Sequence, residues 1–128
     1  FFPLASVLSG LIWSIWHYAV IVQGGYLEAP KLPLGVILAL FTICMVGQSF
    51  VYAWLRERSD SVWPAVCFHG IYNWFTQQVM GFVLQSNPKT PLAVGELSVG
   101  FALVGILLAV LFWKGPTRNA EARKAEAR

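Results

Sequence analysis

Four long apolar stretches alternate with short polar breaks along the chain. Residues 4–22 are relieved only by Ser6, Ser9, Gly10, Ser14 and His17, and residues 34–55 carry Thr42, Gln48 and Ser49 as their polar members. Residues 62–84 are the most polar stretch, with His69, Asn73, Thr76, Gln77 and Gln78, whereas residues 97–113 are almost wholly aliphatic. Each lies near the ~17–25 residues a helix needs to cross a bilayer. None alternates with a period of two, so strands are not expected. The breaks carry turn chemistry: Gly24-Gly25 and Pro30 to Pro33, the charged turn Arg56 to Ser61, then Asn87-Pro88 with Pro91, and finally Gly115-Pro116. Asp60 or Ser61 is placed to cap the third helix, and Pro64 falls in its first turn, where a missing N–H does little harm. The pattern predicts an all-α integral membrane protein: four transmembrane helices over about 4–22, 34–55, 62–84 and 97–113, forming part of a larger multi-helix bundle, and a basic tail over 114–128.

Composition agrees with this expectation. The 128 residues are 57% hydrophobic and 12% charged, where a soluble domain carries about 25% charged residues. Such hydrophobicity excludes disorder. A nucleic-acid partner is also excluded, because five of the nine cations lie in the last fifteen residues and form no broad basic surface. The two cysteines, Cys44 and Cys67, are too few for a disulfide framework or zinc ribbon and read as small packing residues. The cations also set a direction. Lys31 and Lys89 belong to the first and third loops, while Arg56, Arg58, Lys114, Arg118, Arg123, Lys124 and Arg128 belong to the second loop and the tail. The positive-inside rule then puts the second loop and the C-terminus in the cytoplasm of a cell-membrane, multi-pass protein, with membrane lipid as its surroundings.

Ionisable groups inside spans are costly and mark function by default. Well inside these stretches only His17 and His69 qualify. On the first helix Ser6, Gly10 and Ser14 recur at intervals of four, a small-residue face that admits a close neighbour; His17 continues it, and Trp13 lies one turn earlier. On the third helix His69 and Asn73 are four apart and share a face, extended by Thr76 and Gln77. A polar stripe of that length faces protein or water. A single span histidine is as often an interhelical hydrogen-bonding residue as a catalyst, and Gln77 and Gln78 read as interhelical glue. A convergent His/His/Asn cluster, by contrast, can orient water, donate to an oxyanion, or hold a metal or haem.

These residues also stand in familiar surroundings. Ser9-Gly-Leu-Ile-Trp-Ser-Ile-Trp-His17-Tyr-Ala resembles the second signature of the CAAX-protease and bacteriocin-processing family of intramembrane proteases, an aromatic residue four before a histidine. Ser61-Val-Trp-Pro-Ala-Val-Cys-Phe-His69-Gly-Ile-Tyr-Asn73 resembles the third, a histidine followed four later by Asn, and the Leu55-Arg-Glu-Arg-Ser-Asp turn resembles the family's entry into that helix. The similarity covers residues 4–80. One element is missing. The family's first signature, Glu-Glu-x-x-x-Arg on the preceding helix, has no counterpart, for the six acids Glu28, Glu57, Asp60, Glu96, Glu121 and Glu126 all fall in loops or tail. Because residue 1 is Phe, the chain is expected to be the C-terminal portion of a longer protein and not competent alone; a degenerate, inactive member is the alternative.

The resemblance implies peptide hydrolysis inside the membrane, on a peptide or prenylated protein substrate. A glutamate of the missing signature and His17 would activate water, and His69 with Asn73 would stabilise the tetrahedral oxyanion. A divalent metal such as zinc, with His17 and His69 as ligands, is the candidate cofactor, although no HExxH arrangement is present. Two other classes stay open: a non-catalytic membrane interaction or bacteriocin-immunity protein of the same fold, and a bis-histidine haem protein, which leaves Asn73 without a role. The helix register raises a difficulty. His17 lies thirteen residues past Leu4 but His69 only seven past Val62, a depth offset of about 9 Å at ~1.5 Å per residue.

Overall fold

The computed structural model describes residues 1–24, 31–80, 82 and 95–116. Among these the chain is helical and contains no strand: α1 Phe2–Val22, α2 Leu34–Ser59, α3 Trp63–Trp74 continued by a π-turn over Phe75–Met80, and α4 Val99–Phe112. The third-loop breaks at Asn87-Pro88 and Pro91, and the tail from residue 117 on, lie outside the described residues.

Local sequence explains the helix boundaries. Prolines occupy the first turns of α1 and α3, where no intrahelical N–H is lost. α2 runs past Leu55 to Ser59, because Arg56, Glu57 and Arg58 are good helix formers that leave the apolar stretch without leaving the helix. Asp60 then takes a left-handed conformation (φ 55°) that closes α2, and its carboxylate receives Arg56 Nη1 at 3.3 Å. Asp60 therefore ends α2 and does not cap α3. Ser61 serves the next helix instead, its Oγ accepting the Trp63 N–H at 3.3 Å. α4 opens with Ser98, whose side chain accepts the Phe101 N–H at 3.2 Å.

α2 is the hub, with α1, α3 and α4 each packed against it. α1 lies antiparallel to it: Phe2 meets Phe50, Gly10 meets Val46, and the Tyr18 hydroxyl lies 2.6 Å from Thr42 Oγ1. α4 lies parallel, from Leu97 beside Ile37 and Phe41 to Phe112 against Trp54. In lipid no hydrophobic force drives helices together, so association rests on close packing and interhelical polar bonds. The expected Ser6, Gly10 and Ser14 face supplies the first. All three are buried, and a Cβ on Gly10 would stand 2.5 Å from Val46 Cα. Gly47 and Gly105 bring α2 and α4 into backbone contact in the same way. The hydroxyls at these interfaces satisfy themselves within their own helices: Ser6 on Phe2 O (3.0 Å), Ser14 on Gly10 O (2.7 Å), Ser49 on Met45 O (2.9 Å). Thr42 likewise donates to Leu38 O, so Tyr18 must be the donor in the bond between α1 and α2.

α1 and α2 are each long and apolar enough to cross a membrane. The third and fourth helices lie where the apolar pattern placed them; α4 is shorter than expected, and the end of the third stretch, 83–84, lies outside the described residues. α3 has 12 α-helical residues before its hydrogen-bonding register changes, and α4 has 14, about 21 Å against a hydrocarbon core of ~30 Å. The outward faces remain apolar, with Ile12, Trp16, Ile71, Trp74, Val110 and Leu111 all more than 60% exposed. Contiguous apolar surface on this scale suits lipid and not water.

Candidate active site

His17 is held by its own helix. Its Nδ1 lies 2.9 Å from the carbonyl oxygen of Trp13; a carbonyl can only accept, so Nδ1 carries the proton and Nε2 presents a lone pair. The ring is fixed on three sides, edge-on to Trp16 (4.8 Å between centroids) and against Phe41 (5.6 Å) and Trp13 (5.9 Å).

His69 approaches the same indole from α3, with its ring edge-on to Trp13 at 5.0 Å. Both imidazoles thus pack on the Trp13 indole, and His69 meets the residue one turn before His17, which accommodates the depth offset. Asn73, one turn along α3, places its amide Nδ2 3.1 Å from His69 Nε2. The structure therefore brings His17, His69 and Asn73 together, but not as a pocket between α1 and α3 alone. α2 supplies its third wall through Tyr52, whose ring packs on Trp13 (5.5 Å), Phe68 (5.7 Å) and His69 (5.8 Å).

The hydroxyl of Tyr52 lies 3.3 Å from His69 Nδ1 and donates to Gln48 Oε1 at 2.9 Å, and Gln48 Nε2 reaches Cys44 Sγ at 3.4 Å. Cys44, Gln48 and Tyr52 recur every four residues on α2, a spacing visible in the sequence but not singled out there, since none is ionised at neutral pH. Gln48 is only 4% exposed, and these two bonds account for its burial. Glu96 lies in the turn before α4, in a loop as the sequence placed it. It is half-buried at the entry to α4, beside the buried Leu97 and Ser98. The Tyr72 hydroxyl in this region is buried without a hydrogen-bond partner of good geometry.

The remaining polar residues of α3 divide. Thr76 turns back on its own helix, donating to Tyr72 O (2.9 Å) and Asn73 O (3.3 Å), where the π-turn begins. Gln77 and Gln78 are exposed and do not bind α1 or α2 as interhelical glue. Cys67 is exposed as well, whereas Cys44 packs in the core.

A zinc ion does not fit the described side chains. No three His, Cys, Asp or Glu groups gather among the described residues. Both nitrogens of His69 are engaged, by Tyr52 and Asn73, so only His17 Nε2 offers a free ligand atom. Structural zinc asks for four protein ligands and catalytic zinc for three.

A shallow groove of about 550 Å³ runs along α1 beside the cluster, lined by Ser9, Ile12, Trp13 and Trp16. Trp13 is both a wall of this groove and the ring on which the two histidines pack.

No curated protein and no solved structure matches the chain. A family profile does, over residues 2–75, the segment that carries α1, α2, His17, Tyr52, His69 and Asn73. That match takes in more than half of the sequence and ends two residues past Asn73, and it shows that the chain belongs to the type II CAAX prenyl endopeptidase Rce1-like family.

Proposed function

We propose that the protein is an intramembrane endopeptidase of the CAAX prenyl-protein protease type, cutting a peptide bond of a peptide or prenylated protein substrate. The observation that carries this reading is that His17 and His69, from separate helices, both pack on Trp13, with Asn73 bonded to His69. His17 Nε2 is the group able to take a proton from a water, because Nδ1–H is committed to the Trp13 carbonyl. The His69–Asn73 pair would stabilise the oxyanion formed by attack on the scissile carbonyl, through an Asn73 amide that His69 Nε2 holds at 3.1 Å. In this family resemblance a glutamate of the Glu-Glu-x-x-x-Arg signature shares the water with the first histidine, and the sequence contains no Glu-Glu pair. Zinc, for which His17 and His69 were the candidate ligands, enters no step here because the donor set is incomplete.

The reading includes four membrane crossings, with the C-terminus in the cytoplasm. A second reading, a non-catalytic interaction or bacteriocin-immunity protein of the same fold, draws on the missing Glu-Glu pair. Expression of the gene from its natural start, reconstitution into vesicles and assay with a prenylated CAAX peptide separates the two. Cleavage that is lost in His17→Ala supports the protease, and absence of cleavage with an intact fold supports the interaction protein.

A further inference from the structure

We infer that Tyr52 is a positioning residue that fixes the tautomer of His69 and thereby makes Asn73 the oxyanion donor of the pair. The inference rests on the protease reading for its consequence and on hydrogen-bond geometry for its substance. A phenol has one proton to give. That of Tyr52 goes to Gln48 Oε1 at 2.9 Å, while the other side of the Gln48 amide reaches Cys44 Sγ at 3.4 Å. Tyr52 can therefore only accept at its 3.3 Å contact with His69, so the proton of the neutral imidazole sits on Nδ1. Nε2 is then an acceptor, and it meets the Asn73 amide nitrogen 3.1 Å away. Along the chain every donor faces an acceptor, from Asn73 through His69, Tyr52 and Gln48 to Cys44.

This order divides the work. A neutral His69 with its proton on Nδ1 has none on Nε2 to offer an oxyanion. It instead binds one N–H of Asn73, turning the amide so that the second N–H remains for substrate. A free histidine side chain prefers its proton on Nε2, so the opposite tautomer has to be imposed, and the partner of Nδ1 is what imposes it. Tyr52 is suited to this because its ring is itself packed on Trp13 and Phe68.

Tyr52→Phe keeps the ring and removes only the hydroxyl. In the 128-residue chain the two histidines give two sets of ¹⁵N signals, separable with a His17→Gln variant. Wild-type His69 is expected with Nδ1 protonated and Nε2 bare, and Tyr52→Phe with the Nε2–H form predominant. His17, tied to a backbone carbonyl, stays unchanged and serves as the internal control. Gln48→Met should act in the same direction with Tyr52 present, because the phenol, losing its acceptor, turns its proton to Nδ1. In the protein expressed from its natural start, Tyr52→Phe should lower kcat by about tenfold to a hundredfold, as when an outer partner of a site histidine is removed, with KM little changed. Wild-type His69 protonated on Nε2, or a Tyr52→Phe protein with wild-type tautomer and kcat, overturns the inference. Should the wild type cleave no peptide, the protease reading falls, and the ¹⁵N spectra still decide the tautomer.

Discussion

His17 and His69 are restrained in opposite ways. His17 has one nitrogen bound and one presented, whereas His69 has both engaged by side chains. That difference gives separate expectations for the two. His17→Ala, His69→Ala and Asn73→Ala should each lower cleavage of a prenylated peptide by on the order of a hundredfold or more, while the proteins stay inserted and helical by circular dichroism, because polar site groups serve the transition state and not net stability. Gln78→Ala and Cys67→Ala, both at exposed positions, should keep near-wild-type rates; a loss at either would mean that the site extends beyond the described cluster. Zinc titrated into the 128-residue chain should perturb the His17 signals and leave those of His69 in place, since only His17 has a free nitrogen. Equal shifts in both would restore the two-histidine ligand pair. The convergence of His17, His69 and Asn73 was legible in the sequence because an imidazole in a span is anomalous, and because His69 and Asn73 share a helical face. Tyr52 and Gln48 were not, since tyrosine and glutamine in a span attract no notice until the geometry shows what they hold. Glu96 was legible as a loop residue but its partial burial was not, because a carboxylate before an apolar helix looks solvated, and only tertiary packing shows Leu97 and Ser98 drawn into the core.

At the scale of helices, small residues decide how near the backbones come. The Ser6, Gly10 and Ser14 stripe was legible from its spacing. The Gly47–Gly105 contact was not, since two glycines on separate helices carry no mark of being opposite one another. The contrast between glycines is measurable. In Gly47→Ala the new methyl group would enter the Gly105 backbone, so α2 and α4 must move apart, at a cost of about 1–3 kcal/mol for overpacking. Gly70 lies on the exposed face of α3 with nothing within 4 Å of an added Cβ, so Gly70→Ala should gain up to about 1 kcal/mol from helix propensity. Unfolding by SDS in mixed micelles, followed by circular dichroism, checks both; a Gly47→Ala protein as stable as wild type would mean that the two helices are not in backbone contact. Helix ends were the least legible feature. Apolar periodicity stops at Leu55 although charged residues carry α2 on to Ser59, and the change to π register after Trp74 leaves no mark in the apolar pattern. Thr76, whose hydroxyl the sequence had counted as part of the site stripe, donates instead to the Tyr72 and Asn73 carbonyls of its own helix.

The whole molecule has two ends of different character. Phe2 of α1, the Arg56 to Ser61 turn and Gly115 after α4 all lie at one end, joined by the contacts of Phe2 with Phe50 and Gly115 and of Phe50 with Trp113. Arg56, Arg58 and Lys114 therefore gather at one end, and Lys31 precedes α2 at the other. The alternation of helix directions gives this arrangement independently of the cation count, and the two agree. Because positive residues near helix ends are retained in the cytoplasm, the arginine-bearing end should face inward. α4 supplies the sharper question, since 14 residues are fewer than a full crossing needs. Its parallel course beside α2 nevertheless carries Lys114 to the level of the second turn. In a Cys67→Ala background, where the remaining Cys44 is buried, cysteines introduced one at a time at Lys31, Ser61, Lys89 and Lys114 report this through a membrane-impermeant maleimide. Lys31→Cys and Lys89→Cys should be labelled in intact cells, while Ser61→Cys and Lys114→Cys should react only after permeabilisation. Labelling of Lys31→Cys with protection of Lys89→Cys would leave α1 and α2 as the crossings and make α3 and α4 a hairpin entering from the cytoplasmic side. The histidine cluster would then be reached from that side alone, and a prenylated C-terminus would have to arrive from the cytoplasm.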